Sequence, residues 1–245
     1  MILKKACKIP KKHEIYYWGL SLADMSAPEF KTLSQYCNQP EQERAQKFIF
    51  EKDRRSYLAA HGLLRLALSH CEVEYHPGEW EFETSKYGKP YLSGKNQQKL
   101  NFNLSHCASR VVCLVTYGLE CGIDVEPVRR INNIDRLARN CLSEQELNWL
   151  NSKPLVEKEA NFMQFWTLKE AVSKALGLGL NIPFDELVFD MENTPDLLHT
   201  PTNIDNHFWL HQFNPDAEHV EALALRANPA EVDIILRNMQ YQLSL

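Results

Sequence analysis

The sequence predicts an α+β protein built from two similar units, and three observations predict it. Apolar residues recur at strand and helix intervals in separate blocks, with helices gathered together rather than alternating with strands. One block order, a strand, several helices, then three strands, is read twice along the chain. A length of 245 residues accommodates two units of ordinary size.

In the first half, "EIYYWGLSL" (14–22) has the apolar, aromatic content of a strand. Helical segments follow around 28–37 and 41–50. The run "DRRSYLAAHGLLRLALSH" (53–70) places Tyr57, Leu58, Leu64 and Leu68 at helical intervals. Three strand signals come next: "EWEFE" at 79–83, "NFNLS" at 101–105 and "RVVCLVTYG" at 110–118. The intervening "SKYGKPYLSGKNQQK" is rich in Gly, Pro and Lys and reads as a loop.

The second half repeats the order. "CGIDVE" is a strand, "NIDRLARN", "SEQELNWL" and "FMQFWTLKEAVSKALG" are helices, and "ELVFDM", "HFWLHQF" and "VEALALRA" are strands. Residue identity between the halves is slight, so duplication rests on element order. The expected division is an N-terminal subdomain 1–119 and a C-terminal subdomain 120–245. Junctions between units favour ligand sites, so the site is expected there.

Hydrophobic residues make up 44% and charged residues 24%, the balance of a soluble globular protein. No apolar run approaches membrane-spanning length, and the basic start "MILKKACKIPKKHE" lacks the apolar core of a secretory signal. A net charge of −5 argues against general nucleic-acid binding. The seven cysteines form no C-x-x-C pair and cannot all pair, which fits reduced thiols and a cytoplasmic location. His207 and His211 are four apart in a strand-like segment, a poor zinc pair.

Two stretches stand out. In "CGIDVEPV" (121–128), Asp124 and Glu126 share one strand face, their roots about 6.5–7 Å apart. Gly122 beside them admits close approach to the backbone. In "FMQFWTLKEAVSKALGLGL" (162–180), Phe165, Leu168, Val172 and Leu176 form the core stripe. Thr167, Glu170 and Lys174 fall opposite, Lys169 needs a buried partner or must snorkel, and Gly177 and Gly179 end the helix.

Two readings of these acids stand side by side. Asp124 and Glu126 can be the solvent face of a half-exposed strand, with Glu170 and Lys174 an ordinary surface ion pair. Alternatively the three carboxylates converge on Mg²⁺, with Lys174 neutralising a phosphate beside it. "NFNLSH" (101–106) ends in Ser105 and His106, a capped turn or a ligand contact. No G-x-S-x-G elbow accompanies it, which disfavours a serine hydrolase.

"GIDVE", "FWTLKEAVSKALGLGL", "FNLSH" and "YGKPYL", in their places along the chain, resemble the surfactin-synthetase-activating (Sfp) type of 4′-phosphopantetheinyl transferases. Asp124, Trp166, Lys169, Glu170, Lys174, Gly177 and Gly179 fall on the family pattern, and the likeness covers about residues 41–227. The resemblance implies a pseudo-dimer of two α+β units. It implies transfer of phosphopantetheine from coenzyme A to a carrier-protein serine, leaving 3′,5′-ADP.

Residue by residue, the resemblance implies Mg²⁺ on Asp124, Glu126 and Glu170, with Glu170 taking the serine proton. Lys174 and His106 would meet phosphates, with Ser105 as a supporting contact, and Gly88, Lys89 and Pro90 would lie along the adenine. Arg44, Arg54 and Arg55 are candidates for the 3′-phosphate, or else solvated helix charges. The sequence departs from relatives at Glu41, where a basic residue is expected, and at Val128, where a hydroxyl residue often stands.

The implied partners are coenzyme A and an acidic acyl or peptidyl carrier protein, with no nucleic acid and no membrane. Arg129, Arg130, Arg136 and Arg139 are docking candidates, or an ordinary charged helix start. With both halves in one chain, a monomer is expected. A Mg²⁺-dependent phosphohydrolase and a non-catalytic carrier-binding protein are the competing functions.

Overall fold

The computed structural model describes residues 9–94, 100–231 and 233–239, so Cys7 and the basic start through residue 8 lie outside them. Contacts group the chain into two compact units. One comprises the described residues through Ser85, then Pro90–Leu119 and those from Ile234 on; the other comprises Lys86–Lys89 and Glu120–Asp233.

The first unit begins with β1 (Glu14–Ser21), followed by α1 (Ala27–Tyr36), α2 (Gln39–Ala45) and α3 (Glu51–Cys71). Then come β2 (Phe82–Thr84), β3 (Pro90–Leu92), β4 (Leu100–His106) and β5 (Arg110–Tyr117). β5 lies between β1 and β4 and pairs antiparallel with both. Tyr16, Trp18 and Leu20, alternate residues of β1, enter one core cluster with Ala60, Leu63, Leu64, Ala67 and Leu68 of α3. Each fully buried Leu contributes about 1.5–3 kcal/mol, so this helical stripe holds α3 on the sheet.

Three sequence expectations shift here, the first being the loop expected over 85–99, which carries β3 at Pro90–Leu92, paired antiparallel with β2. The helix expected over 41–50 ends at Ala45, and Ile49 and Phe50 are exposed before α3 begins. The strand expected at 79–83 starts at Phe82, after a 3-10 turn at Pro77–Glu79. Burial still alternates through Trp80, whose ring is buried and whose Nε1 donates to Ser69 Oγ at 2.8 Å.

The second unit runs β6 (Cys121–Pro127), α4 (Ile134–Cys141), α5 (Glu144–Ser152) and α6 (Lys158–Leu176). It continues with β7 (Val188–Asp190), β8 (Asp196–His199), β9 (Phe208–Phe213) and β10 (His219–Arg226). β10 is central and antiparallel to β6 and β9, while β7 and β8 form a separate pair. Phe162, Phe165, Leu168, Ala171, Val172 and Ala175 of α6 pack with Ala222 and Ala224 of β10. Thr167, expected on the outer side of α6, is buried instead. Its hydroxyl donates to the Met163 carbonyl at 2.9 Å and accepts from Gln212 Nε2 of β9 at 3.2 Å, which satisfies it inside.

Each unit also carries the same buried device. In α2, Asn38 caps the helix with Glu41 closing the capping box, and the Glu41 carboxylate accepts from Arg65 Nε of α3 at 2.9 Å. In α5, Ser143 caps with Glu146, which accepts from Lys169 Nζ of α6 at 2.9 and 2.8 Å. In both, a capping carboxylate reaches a fully buried cation on the following long helix.

The last strand, β11 (Ile235–Asn238), pairs parallel with β1 from Glu14↔Ile235. It leaves the unit to which its sequence position would assign it because the edge of β1 offers unpaired backbone groups. Among the described residues no helix is long and apolar enough to cross a membrane, and no disulfide joins the cysteines.

Candidate active site

The close approach at Gly122 comes from α6. A Cβ there would stand 2.0 Å from the Ala171 carbonyl oxygen and 2.5 Å from the Ala175 nitrogen. Alanines on the paired strand complete this small-residue face, since Ala224 lies opposite Gly122 and Ala222 opposite Asp124. The helix therefore rests almost directly on the strand, and the next residue on that face, Asp124, is buried under it with 4% exposure. That answers the first of the two readings: Asp124 is not on a solvent face.

Lys174, in the last turn of α6, reaches back to this strand. Its Nζ donates to Asp124 Oδ1 at 2.6 Å and to the Ile123 carbonyl at 3.1 Å. Glu170 and Glu126 belong to the same electrostatic neighbourhood. Burial, then the Asp124 charge, pushes the Glu126 carboxyl up to about 7, against Lys174, Arg129 and a hydrogen bond from the Trp166 indole. Burial likewise raises Glu170, with Lys174 opposing and Asp124 adding to the shift.

Among the described residues no group of three His, Cys, Asp or Glu side chains is placed so as to hold a metal ion, and Lys174 supplies the positive charge at Asp124. The donor chemistry nevertheless fits a hard dication. Two carboxyls lifted above their ordinary range by burial and by a third carboxylate carry surplus negative charge once ionised, and oxygen-only donors suit Mg²⁺.

Lys89 lies in the same unit, but its ammonium is directed at the protein. Nζ donates to the Cys121 carbonyl at 3.2 Å and the Ala175 carbonyl at 2.7 Å, and burial lowers its pKa. Gly88 is exposed with φ of 86°, and Pro90 opens β3 opposite Thr84.

The first unit separates the expected coenzyme contacts. His106 Nδ1 is 3.1 Å from Ser56 Oγ, and the Ser56 hydroxyl donates to the Asp53 carbonyl at 3.1 Å. Ser105 is buried on the same strand. Arg55 donates to the Met25 carbonyl at 3.1 Å and lies 4.7 Å from the Phe30 ring centroid. Arg54 pairs with Glu51 on its own helix. Arg44 lines an open cavity of about 520 Å³ with Pro40, Glu43, Lys47 and Phe48. The three arginines thus have three different surroundings.

Glu41 departs from the family pattern because it has another task here. Burial raises its carboxyl, but the hydrogen bond from His61 at 3.0 Å and the Arg65 charge bring it below the usual range. Val128 packs partly buried against the apolar core of its unit. Sequence reasoning did not find Glu146 as the partner of Lys169, nor Trp166 as a donor to Glu126. The capping signature Ser143-x-x-Glu146 was the available signal for the first. Arg129, Arg130, Arg136 and Arg139 are all exposed.

Family models match both halves. Residues 120–224 match the 4′-phosphopantetheinyl transferase superfamily, and residues 24–117 match the 4′-phosphopantetheinyl transferase N-terminal family. The 4′-phosphopantetheinyl transferase HetI of Nostoc sp. is 34% identical over 169 residues, which is 68% of this chain and 70% of the relative. The 4′-phosphopantetheinyl transferase gsp of Aneurinibacillus migulanus is 31% identical over 172 residues, 69% of this chain and 68% of the relative. The 4′-phosphopantetheinyl transferase Sfp of Bacillus subtilis is 26% identical over 161 residues, 66% of this chain and 69% of the relative. With the motif residues gathered on β6 and α6 and both halves matched, the chain belongs to the 4′-phosphopantetheinyl transferase superfamily and is a transferase of its Sfp type.

Proposed function

We propose that this transferase moves 4′-phosphopantetheine from coenzyme A to a serine of an acidic carrier protein, with Mg²⁺ held by Asp124, Glu126 and Glu170. The observation that carries it is Lys174 bonded to the buried Asp124, beside two carboxyls whose pKa values are raised. The ion, when bound, supplies positive charge to the coenzyme's diphosphate.

The chain's own residues do the rest. Glu170 takes the serine proton as the serine oxygen bonds to the phosphorus that carries pantetheine. The bond from that phosphorus to the bridging oxygen breaks, and 3′,5′-ADP leaves with the electron pair. Lys174 offsets charge growing on that leaving group. His106 is assigned to coenzyme phosphates, with Ser105 supporting it. Gly88, Pro90 and Arg44 remain proposed coenzyme contacts, while Arg54 and Arg55 already have protein partners.

Intact-mass spectrometry of apo-carriers incubated with coenzyme A tests the reaction. The expected result is a gain of one phosphopantetheine, abolished by a metal chelator and restored by added Mg²⁺. Cleavage of coenzyme A at equal rate without carrier would instead identify a phosphohydrolase.

Exposed Arg129 and Arg130 follow β6 directly, and Arg136 and Arg139 lie on α4, so we assign this basic segment to carrier docking. Reversing Arg129 and Arg130 to Glu is expected to raise KM for carrier about tenfold, the cost of placing like charges opposite an acidic surface. KM for coenzyme A should stay put; unchanged carrier kinetics would remove the assignment.

A further inference from the structure

We propose that Lys89 is a positioning residue that clamps the C-terminal end of α6 to the edge of β6, and so sets Lys174 and Glu170 relative to Asp124. The inference rests on the transferase reading for its kinetic consequence, though not for the clamp.

The end of α6 supplies the first argument. The last carbonyls of a helix have no intrahelical partner, and the negative end of the helix dipole favours a cation there. Gly177 closes the helix with φ of 70°, and its N–H reaches the Lys174 and Ser173 carbonyls. The Ala175 carbonyl is met by Lys89 at 2.7 Å. A side chain at Gly177 would be strained by the left-handed backbone and crowded by the Lys89 stem, since a Cβ would lie 3.2 Å from Lys89 Cδ.

The strand supplies the second. β6 is an edge of its three-stranded sheet, paired with β10 on one side. Carbonyls two apart on a strand point the same way, and here both are met by lysines. Cys121 is met by Lys89 at 3.2 Å, and Ile123 by Lys174 at 3.1 Å. One lysine comes from the segment Lys86–Lys89 and the other from the helix itself. Together they fix where α6 stops along the strand.

The third argument is proximity to the chemistry. Ala175 follows Lys174 directly, and Lys174 Nζ lies 2.6 Å from Asp124 Oδ1. A slip of α6 along β6 would separate that pair and move Glu170, one turn earlier, with it. The clamp also explains why the half-buried Lys89 turns its ammonium onto two backbone carbonyls rather than out to solvent.

Hydrogen–deuterium exchange and steady-state kinetics of Lys89→Met test this together. In the variant, amides of 121–126 and 171–176 should exchange at least tenfold faster, while those of α3 in the first unit stay as in the wild type. The kcat for transfer should fall at least tenfold with KM for coenzyme A within threefold. Lys89→Gln keeps two N–H donors and should recover part of both readouts; it also serves if Lys89→Met does not fold. A raised KM for coenzyme A with kcat kept would overturn the proposal, because Lys89 would then hold the coenzyme. Unchanged exchange in 171–176 would overturn it too. If the wild type transfers nothing to any carrier, the transferase reading fails, while exchange still decides the clamp.

Discussion

Glu170→Gln is expected to slow phosphopantetheine transfer on the order of 10²–10⁴-fold, the usual worth of a positioned general base. The substitution keeps the side chain's size and removes its proton-accepting charge. It also removes a carboxylate that burial already disfavours and that Asp124 repels. Stability should therefore respond in the opposite direction from activity, with the unfolding midpoint in metal-free buffer unchanged or higher. Transfer is read as the rate of mass gain on apo-carrier, and the midpoint by circular dichroism. A rate within threefold of wild type would refute the role given to Glu170. A variant lacking both activity and fold would show instead that Glu170 is structural.

Glu146→Ala is expected to cost about 3–5 kcal/mol, the penalty for leaving a buried charge without its partner. Lys169 and Glu146 are both fully buried, 2.8 Å apart at their nearest oxygen. Lys169 also donates to the Phe184 carbonyl at 2.8 Å and to that of Leu187. Glu146 accepts in addition from the backbone N–H groups of Ser143 at 2.8 Å and Phe189 at 2.9 Å. The pair thus joins α5, α6 and the segment before β7. Against a typical total stability of about 5–15 kcal/mol, this single loss removes a large share.

Burial lowers the Lys169 pKa and the Glu146 charge offsets that only in part, so the truncated variant leaves a buried ammonium without its ion-pair partner. Adding Lys169→Met to Glu146→Ala should recover part of the loss, a coupling of about 0.5–3 kcal/mol. Recovery stays partial because four backbone groups lose a partner along with the charges. Urea unfolding of the two single variants and the double variant measures this. Strictly additive costs would mean the ion pair has no coupling.

How much of this was legible depends on the range of the interaction concerned. Strand β6 and helix α6 were readable because their patterns are local: Ile123 and Val125 alternate with Asp124 and Glu126, and Phe165, Leu168 and Val172 recur at helical intervals. The motif residues Asp124, Glu170 and Lys174 were named for the same reason. Thr167 was misplaced because a helical wheel reports one apolar stripe, whereas α6 is also covered by β9, whose Gln212 reaches across to it. Helix 41–50 was drawn too long because propensity does not reveal that Ile49 and Phe50 find no apolar face to join.

The chain's letters were enough to assign the α+β class, the family and the longer elements, and to name the candidate acids, since periodicity and motif spacing are properties of neighbouring residues; the short strands β3, β8 and β11 carry too few residues to show a period. Folding chose the partners: Glu146 for Lys169, Lys174 for Asp124, two carbonyls for Lys89, and β1 for β11. Such pairings join segments distant in sequence. A buried charge or an edge carbonyl accepts whichever complementary group packing brings within reach, and no local pattern encodes which that is.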